Sequence, residues 1–208
     1  MNESPSRPLW GSPFFWLIGL AIVALFASLA LAADNDTATD DPDAVQTAPV
    51  TVDGIGLLPL AAPDVALGET VPTLSGSSFD GSPVTFAPGV PRIYGFFAHW
   101  CPHCQAELPK LTEWLREGIG ADGVEVAAIS TAVAPEGDDH PPSRWFEDVG
   151  YPGDVLVDSA NDTAAIAFGL VAYPYWVVTD ADGTVLLRMT GNVERDDFVA
   201  LTRLAAGG

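Results

Sequence analysis

Only two cysteines occur in the 208 residues, and they stand three apart in Trp100-Cys101-Pro102-His103-Cys104. The apolar run Arg92 to Ala98 (RIYGFFA) directly before them reads as a buried strand, and the residues after them, through about Glu117, read as a helix. Both sulfurs must therefore sit on a strand-to-helix turn at one end of a sheet. A thiolate at a helix start faces unpaired backbone N–H groups and the positive end of the dipole, so Cys101 is expected to be the attacking sulfur. Pro102 suits the first helical turn, where its missing N–H is not needed. Cys104, one turn later, can reach Cys101 but lies deeper, as a resolving thiol would.

Other uses of two such sulfurs stand beside this redox reading. A structural disulfide closing so short a loop would contribute only about 2 kcal/mol by restricting the unfolded chain. A copper or zinc carrier would use Cys101 and Cys104 with His99 or His103. Against a metal, these residues crowd one helix start with Pro102 among them, and no second cysteine pair exists to complete a tetrahedron. Inert buried thiols are the third option. Under the redox reading no metal and no separate cofactor is expected, because the reversible Cys101–Cys104 disulfide is itself the working group.

The rest of the pattern is that of a layered α/β domain. Phe79 to Phe86 reads as two short strands about the Asp80-Gly81 turn, forming an N-terminal hairpin. Val124 to Val133 is β-branched and nearly uncharged, as expected of a strand covered on both faces. Ser143 to Val149 reads as a short helix with Ser143 as its N-cap, and Asp154 to Val157 as a short strand. Ala160 to Phe168 is helical in composition and ends at Gly169, a C-cap candidate. Tyr175 to Thr179 and Thr184 to Met189 flank an Asp-Gly turn as an antiparallel hairpin. Glu194 to Leu204 closes the chain as a helix, with Phe198, Leu201 and Leu204 on one side.

Ahead of this domain, residues 14–33 (FFWLIGLAIVALFASLALAA) are uncharged and long enough to cross a bilayer as a helix. Arg7 precedes them and Asp34, Asp36, Asp40, Asp41 and Asp43 follow, so residues 1–13 are expected in the cytoplasm and everything after Ala33 outside. A cleaved signal peptide is the competing reading, with Ala30-Leu31-Ala32 as the small-residue site, and it exports the domain equally. Residues 34–67 lack any basic residue and any sustained period, and read as an acidic disordered linker to a domain spanning 68–208. The formal net charge of −20, from 28 acidic and 8 basic side chains, excludes nucleic acid and anionic headgroups as electrostatic partners.

The stretch Phe96-Phe97-Ala98-His99-Trp100-Cys101-Pro102-His103-Cys104-Gln105-Ala106-Glu107-Leu108-Pro109 resembles the thioredoxin superfamily, and in particular its TlpA/ResA-like branch of membrane-anchored extracytoplasmic thiol–disulfide oxidoreductases. The likeness runs from about Gly68 to the C-terminus. It implies a central mixed β-sheet flanked by helices, with the N-terminal hairpin as an addition. It also implies a cis-proline opposite the sulfurs, at Pro174 in Ala172-Tyr173-Pro174-Tyr175, with the Tyr173 backbone left free to pair with a substrate segment. Glu107 matches the acid that would relay protons to the thiols, and Trp100 would shield them.

Two departures bear on the direction of the reaction. Gly95 stands where thioredoxin has a buried acid, and His103 recreates the Cys-Pro-His-Cys of the DsbA-type oxidases. A histidine between the sulfurs can stabilise the Cys101 thiolate and make the disulfide more oxidising. The scaffold implies reductive use, of the cytochrome c maturation type, on exported protein thiols or disulfides, with a membrane thiol reductant or oxidant restoring the pair. The dipeptide implies the opposite direction.

Overall fold

The computed structural model describes residues 45–207. The membrane span expected at 14–33 and the residues 1–13 expected in the cytoplasm lie outside the described residues. Among the described residues no helix is long and apolar enough to cross a membrane.

Among the described residues eight strands and four helices follow in the order β1 (Thr51–Asp53), β2 (Thr73–Ser77), β3 (Pro83–Phe86), β4 (Arg92–Phe97), α1 (Pro102–Arg116), β5 (Glu125–Ser130), α2 (Pro142–Val149), β6 (Val155–Val157), α3 (Thr163–Ala167), β7 (Tyr175–Thr179), β8 (Val185–Thr190) and α4 (Arg195–Ala205). The main sheet has the strand order β6-β5-β4-β7-β8. β4 runs parallel to β5 and β5 to β6, whereas β7 lies antiparallel to both β4 and β8. This is the mixed sheet flanked by helices that the resemblance implied.

Alternation along the two central strands divides the core in two, because successive side chains of a strand point to opposite faces. Tyr94 and Phe96 of β4, with Tyr175 and Val177 of β7, join Phe168, Leu74 and Phe86 on one face. Ile93 and Phe97, with Trp176 and Val178, join Leu108, Leu111, Trp145, Phe146 and Phe198 on the other. With both faces covered, every residue of β4 and β7 is buried. The sheet thus holds the end of β4, and the cysteines that follow, on a rigid base.

The N-terminal hairpin is present but is built differently from its sequence reading. Its strands are β2 and β3, so the first lies before Phe79, and residues 78–82 form the turn with Ser82 N–H bonded to Asp80 Oδ1 at 2.9 Å. β1 adds a third strand antiparallel to β2.

That third strand belongs to the stretch read as a disordered linker, and from Val45 to Leu67 this reading is corrected. Val45 N–H bonds Phe79 O, Ala48 N–H bonds Asp158 O, Leu57 N–H bonds Ala167 O and Leu60 N–H bonds Gly169 O. Leu57 and Ala66 are buried in the core on the β1–β3 side. An ion pair, Asp64–Arg188, ties the segment to β8. Neither periodicity nor composition could reveal this order, because it comes from long-range partners instead of a regular element.

Local boundaries differ for equally concrete reasons. α2 starts at Pro142, and Ser143 is no N-cap; its N–H donates to Gln46 Oε1 at 3.1 Å and its hydroxyl accepts from Gln46 Nε2 at 2.7 Å. The former linker therefore satisfies an N–H in the first turn of that helix. α3 is shorter than its composition promised, because Asp162 takes a left-handed φ of 55° just before it. Gly169, at φ 69°, does close it: Gly169 N–H returns to Ile166 O and Leu170 N–H to Ala165 O.

Candidate active site

β4 ends at Phe97, and Ala98-His99-Trp100 carries the chain to Cys101, which is the N-cap of α1 with extended backbone (φ −84°, ψ 118°). Cys101 N–H bonds Ala98 O at 3.0 Å, and Cys101 O accepts from Gln105 N–H at 2.9 Å, which fixes the sulfur at the first turn. The Cys101 side chain makes no capping hydrogen bond to the first turn of α1. Both cysteines are free thiols.

The two sulfurs are not equivalent. Cys101 keeps 7% of its surface exposed, whereas Cys104 has none. Burial pushes the Cys104 thiol well above its ordinary value, and the charge and hydrogen bonding of neighbouring Cys101 push it further. Cys104 is thus held as a protonated thiol against Cys101, while Cys101 has the only surface on which an incoming disulfide can land.

Opposite the pair, the Tyr173–Pro174 peptide is cis, and the Tyr173 carbonyl lies 3.9 Å from Cys101 Sγ. The Tyr173 ring stands edge-on to Trp100 with centroids 5.8 Å apart. Partial burial raises the Tyr173 hydroxyl to about 12, so it stays a neutral donor at physiological pH. Trp100 is 41% exposed, and its indole N–H donates to Ala132 O at 2.7 Å, which pins it to the rim beside Cys101.

Glu107 is fully buried on α1, and its charge adds to the rise of the Cys104 thiol, but its hydrogen bonds go to groups other than the sulfurs. Oε1 accepts from Val193 N–H at 2.9 Å, Oε2 accepts from Asn192 Nδ2 at 2.7 Å, and Lys110 Nζ stands 3.2 Å from Oε2. The carboxylate therefore fastens the loop between β8 and α4 onto the active-site helix. His103 likewise bonds Asn192, with Nδ1 3.0 Å from its Oδ1, and makes no such bond to Cys101. Asn192 is the residue that sequence reasoning missed. It sits 89 positions from His103, in what reads only as the turn between a strand and a helix.

The histidines of the metal alternative have other partners: His103 bonds Asn192. His99 is buried and faces backbone groups of the 134–138 loop: Nδ1 lies 3.0 Å from Asp138 O, and Nε2 lies 3.2 Å from Ala134 N. Among the described residues no group of three or more His, Cys, Asp or Glu is placed to hold a metal ion.

Comparison with known proteins agrees with this geometry. The AhpC/TSA family profile matches residues 62–188. A "Thiol:disulfide interchange protein DsbE homolog" of Paracoccus denitrificans is 31% identical over 176 residues, 85% of this chain and 86% of that protein. Among solved structures, a thioredoxin-family thiol:disulfide interchange protein of Chlorobium tepidum TLS matches with a TM-score of 0.54 at 25% identity, over 65% of this chain and 94% of its own. A secreted disulfide oxidoreductase of Mycobacterium tuberculosis shares the fold at a TM-score of 0.52 and 21% identity, over 62% of this chain and 94% of its own. The chain belongs to the AhpC/TSA family and is a thioredoxin-fold thiol–disulfide oxidoreductase similar to the DsbE thiol:disulfide interchange proteins.

Proposed function

We propose that the dithiol works reductively on exported proteins, in the manner of cytochrome c maturation, from a domain held on the outer side of a membrane by residues 14–33. Cys101 as thiolate attacks one sulfur of a substrate disulfide, forming a mixed disulfide and releasing a substrate thiolate that takes up a proton. Cys104 then gives up its proton and attacks Cys101 Sγ, which frees the second substrate sulfur and closes the Cys101–Cys104 bond. Two electrons pass to the substrate, and a membrane dithiol donor returns them.

The observation that carries this reading is the asymmetry of the pair: Cys101 keeps a small part of its surface and lies beside the Tyr173 carbonyl, whereas Cys104 is fully buried and held protonated. Once Cys101 is in a mixed disulfide its charge is gone, so one cause of the raised Cys104 value is gone as well. The resolving thiol is thereby eased toward ionisation only after the first step has occurred. The bond between His103 and Asn192 supports the reductive direction, because it occupies the imidazole nitrogen that could otherwise serve the Cys101 sulfur.

Insulin reduction by the full chain, with dithiothreitol as donor, tests the activity. Turnover above the uncatalysed rate is expected, and Cys101→Ser should bring it down to that rate. The reduction potential of the pair tests the direction. A value closer to about −270 mV than to about −120 mV fits a reductant, and the reverse would assign an oxidant.

A further inference from the structure

The loop between β8 and α4 carries one polar side chain whose three bonds all lead to α1. Asn192 Nδ2 donates to His103 O at 2.9 Å and to Glu107 Oε2 at 2.7 Å, and Asn192 Oδ1 faces His103 Nδ1 at 3.0 Å. An amide nitrogen has two hydrogens, and both are used here. Turning the amide over would set its oxygen against a carbonyl and a carboxylate at once, so this orientation is the one the site permits. Oδ1 can only accept, and Nδ1 of His103 must therefore carry the proton and donate. Glu107 anchors the arrangement from beneath, since Val193 N–H and Lys110 Nζ hold it as well.

We propose that Asn192 is a positioning residue that turns the His103 imidazole away from Cys101, so that the histidine between the sulfurs does not stabilise the attacking thiolate. The inference rests on the reading of Cys101–Cys104 as an exchange-active pair and specifies how its direction is set. Released from Asn192, a charged imidazole could turn its Nδ1 proton toward Cys101 and favour the reduced, thiolate form, which makes the disulfide a stronger oxidant. The ionisable groups of this network are Glu107, bonded to Asn192, then Lys110 at 3.2 Å from Glu107 and Glu194 at 3.8 Å from Lys110, with the two thiols flanking His103 in the sequence. Among the described residues its ring hydrogen-bonds Asn192, which carries no charge.

Asn192→Ala, His103→Ala and the double variant of the full chain test this with two readouts. One is the equilibrium with a glutathione redox buffer, and the other is the pH profile of Cys101 alkylation by iodoacetamide, followed at the peptide level by mass. Asn192→Ala should shift the glutathione equilibrium about tenfold toward the dithiol, which is about 30 mV, and move the alkylation profile to lower pH. In the His103→Ala background the same substitution should do neither. His103→Ala alone should change the equilibrium by less than about threefold, because an exposed ring held away from the sulfur acts on it only through screened solvent.

A shift that persists without His103 would overturn the proposal, and so would a His103→Ala change as large as tenfold. His103 is exposed, so its variant keeps the test decisive even where Asn192→Ala fails to fold. The alkylation profile reads the positioning even in a chain that exchanges poorly, whereas failure of the wild type to equilibrate with glutathione would count against the exchange reading itself.

Discussion

Gly95 shows how one residue is fixed by its neighbours. A Cβ placed there would stand 2.7 Å from Phe97 Cε2 and 2.9 Å from Trp176 Cζ3, so the position thioredoxin gives to a buried acid is filled by two rings. Those rings meet edge to face at 5.4 Å in the core beneath the cysteines. Gly95→Ala should therefore destabilise the domain by about 1–3 kcal/mol through overpacking, seen as a lower denaturant midpoint at unchanged slope. Gly95→Asp should cost more, because its carboxylate would enter an apolar cluster without a partner. An unchanged midpoint for both would show that the rings yield freely. From sequence, Gly95 was visible as a departure from the family pattern, but the rings that require it could not be read there. The same division holds at the site: Cys101, Cys104 and Pro174 lie within recognisable motifs, while Asn192 acts only through partners distant in the chain.

At the scale of elements, the strands of the main sheet were legible because β4, β5 and β7 are continuous apolar runs bounded by turn residues. The segment from Val45 to Leu67 was not, since its order depends on single contacts, the strongest being Asp64 with Arg188. Arg188 is buried, donates through Nε to Asp64 Oδ2 at 3.0 Å, and gives Nη1 to Leu58 O at 2.8 Å and Phe168 O at 3.2 Å. Asp64→Ala would leave that guanidinium without its counter-ion and should cost about 3 kcal/mol, measured by denaturant unfolding. The hydrogen bonds from Arg188 hold the Asp64 carboxyl below its ordinary 3.8. Its contribution is thus fully present above that value and is lost as pH falls through 3.8 toward the lower folded value. Between about pH 5 and pH 2 the wild type should lose more stability than Asp64→Asn, which has no carboxylate to protonate at that position. Parallel curves for the two proteins would remove the ion pair from the account.

For the whole molecule, the net charge of −20 is a property of the chain while the chemistry of the site is local, so charge governs encounter more than reaction. Reduction of a cationic disulfide peptide should slow as salt is added, and reduction of an anionic one should quicken, both in kcat/KM. Equal salt responses would show that the site is shielded from the overall field. The fold serves the chemistry by covering both faces of one sheet, which leaves Cys101 at its end as the less buried cysteine and Cys104 fully inside as the reserve. That division of labour is tested most directly by capture of a disulfide peptide, read by intact mass and peptide mapping. Cys104→Ser should hold the peptide as a lasting mixed disulfide on Cys101, and Cys101→Ser should capture none at a comparable rate. Equal or faster capture through Cys104 in the Cys101→Ser chain would contradict the assignment of the attacking sulfur.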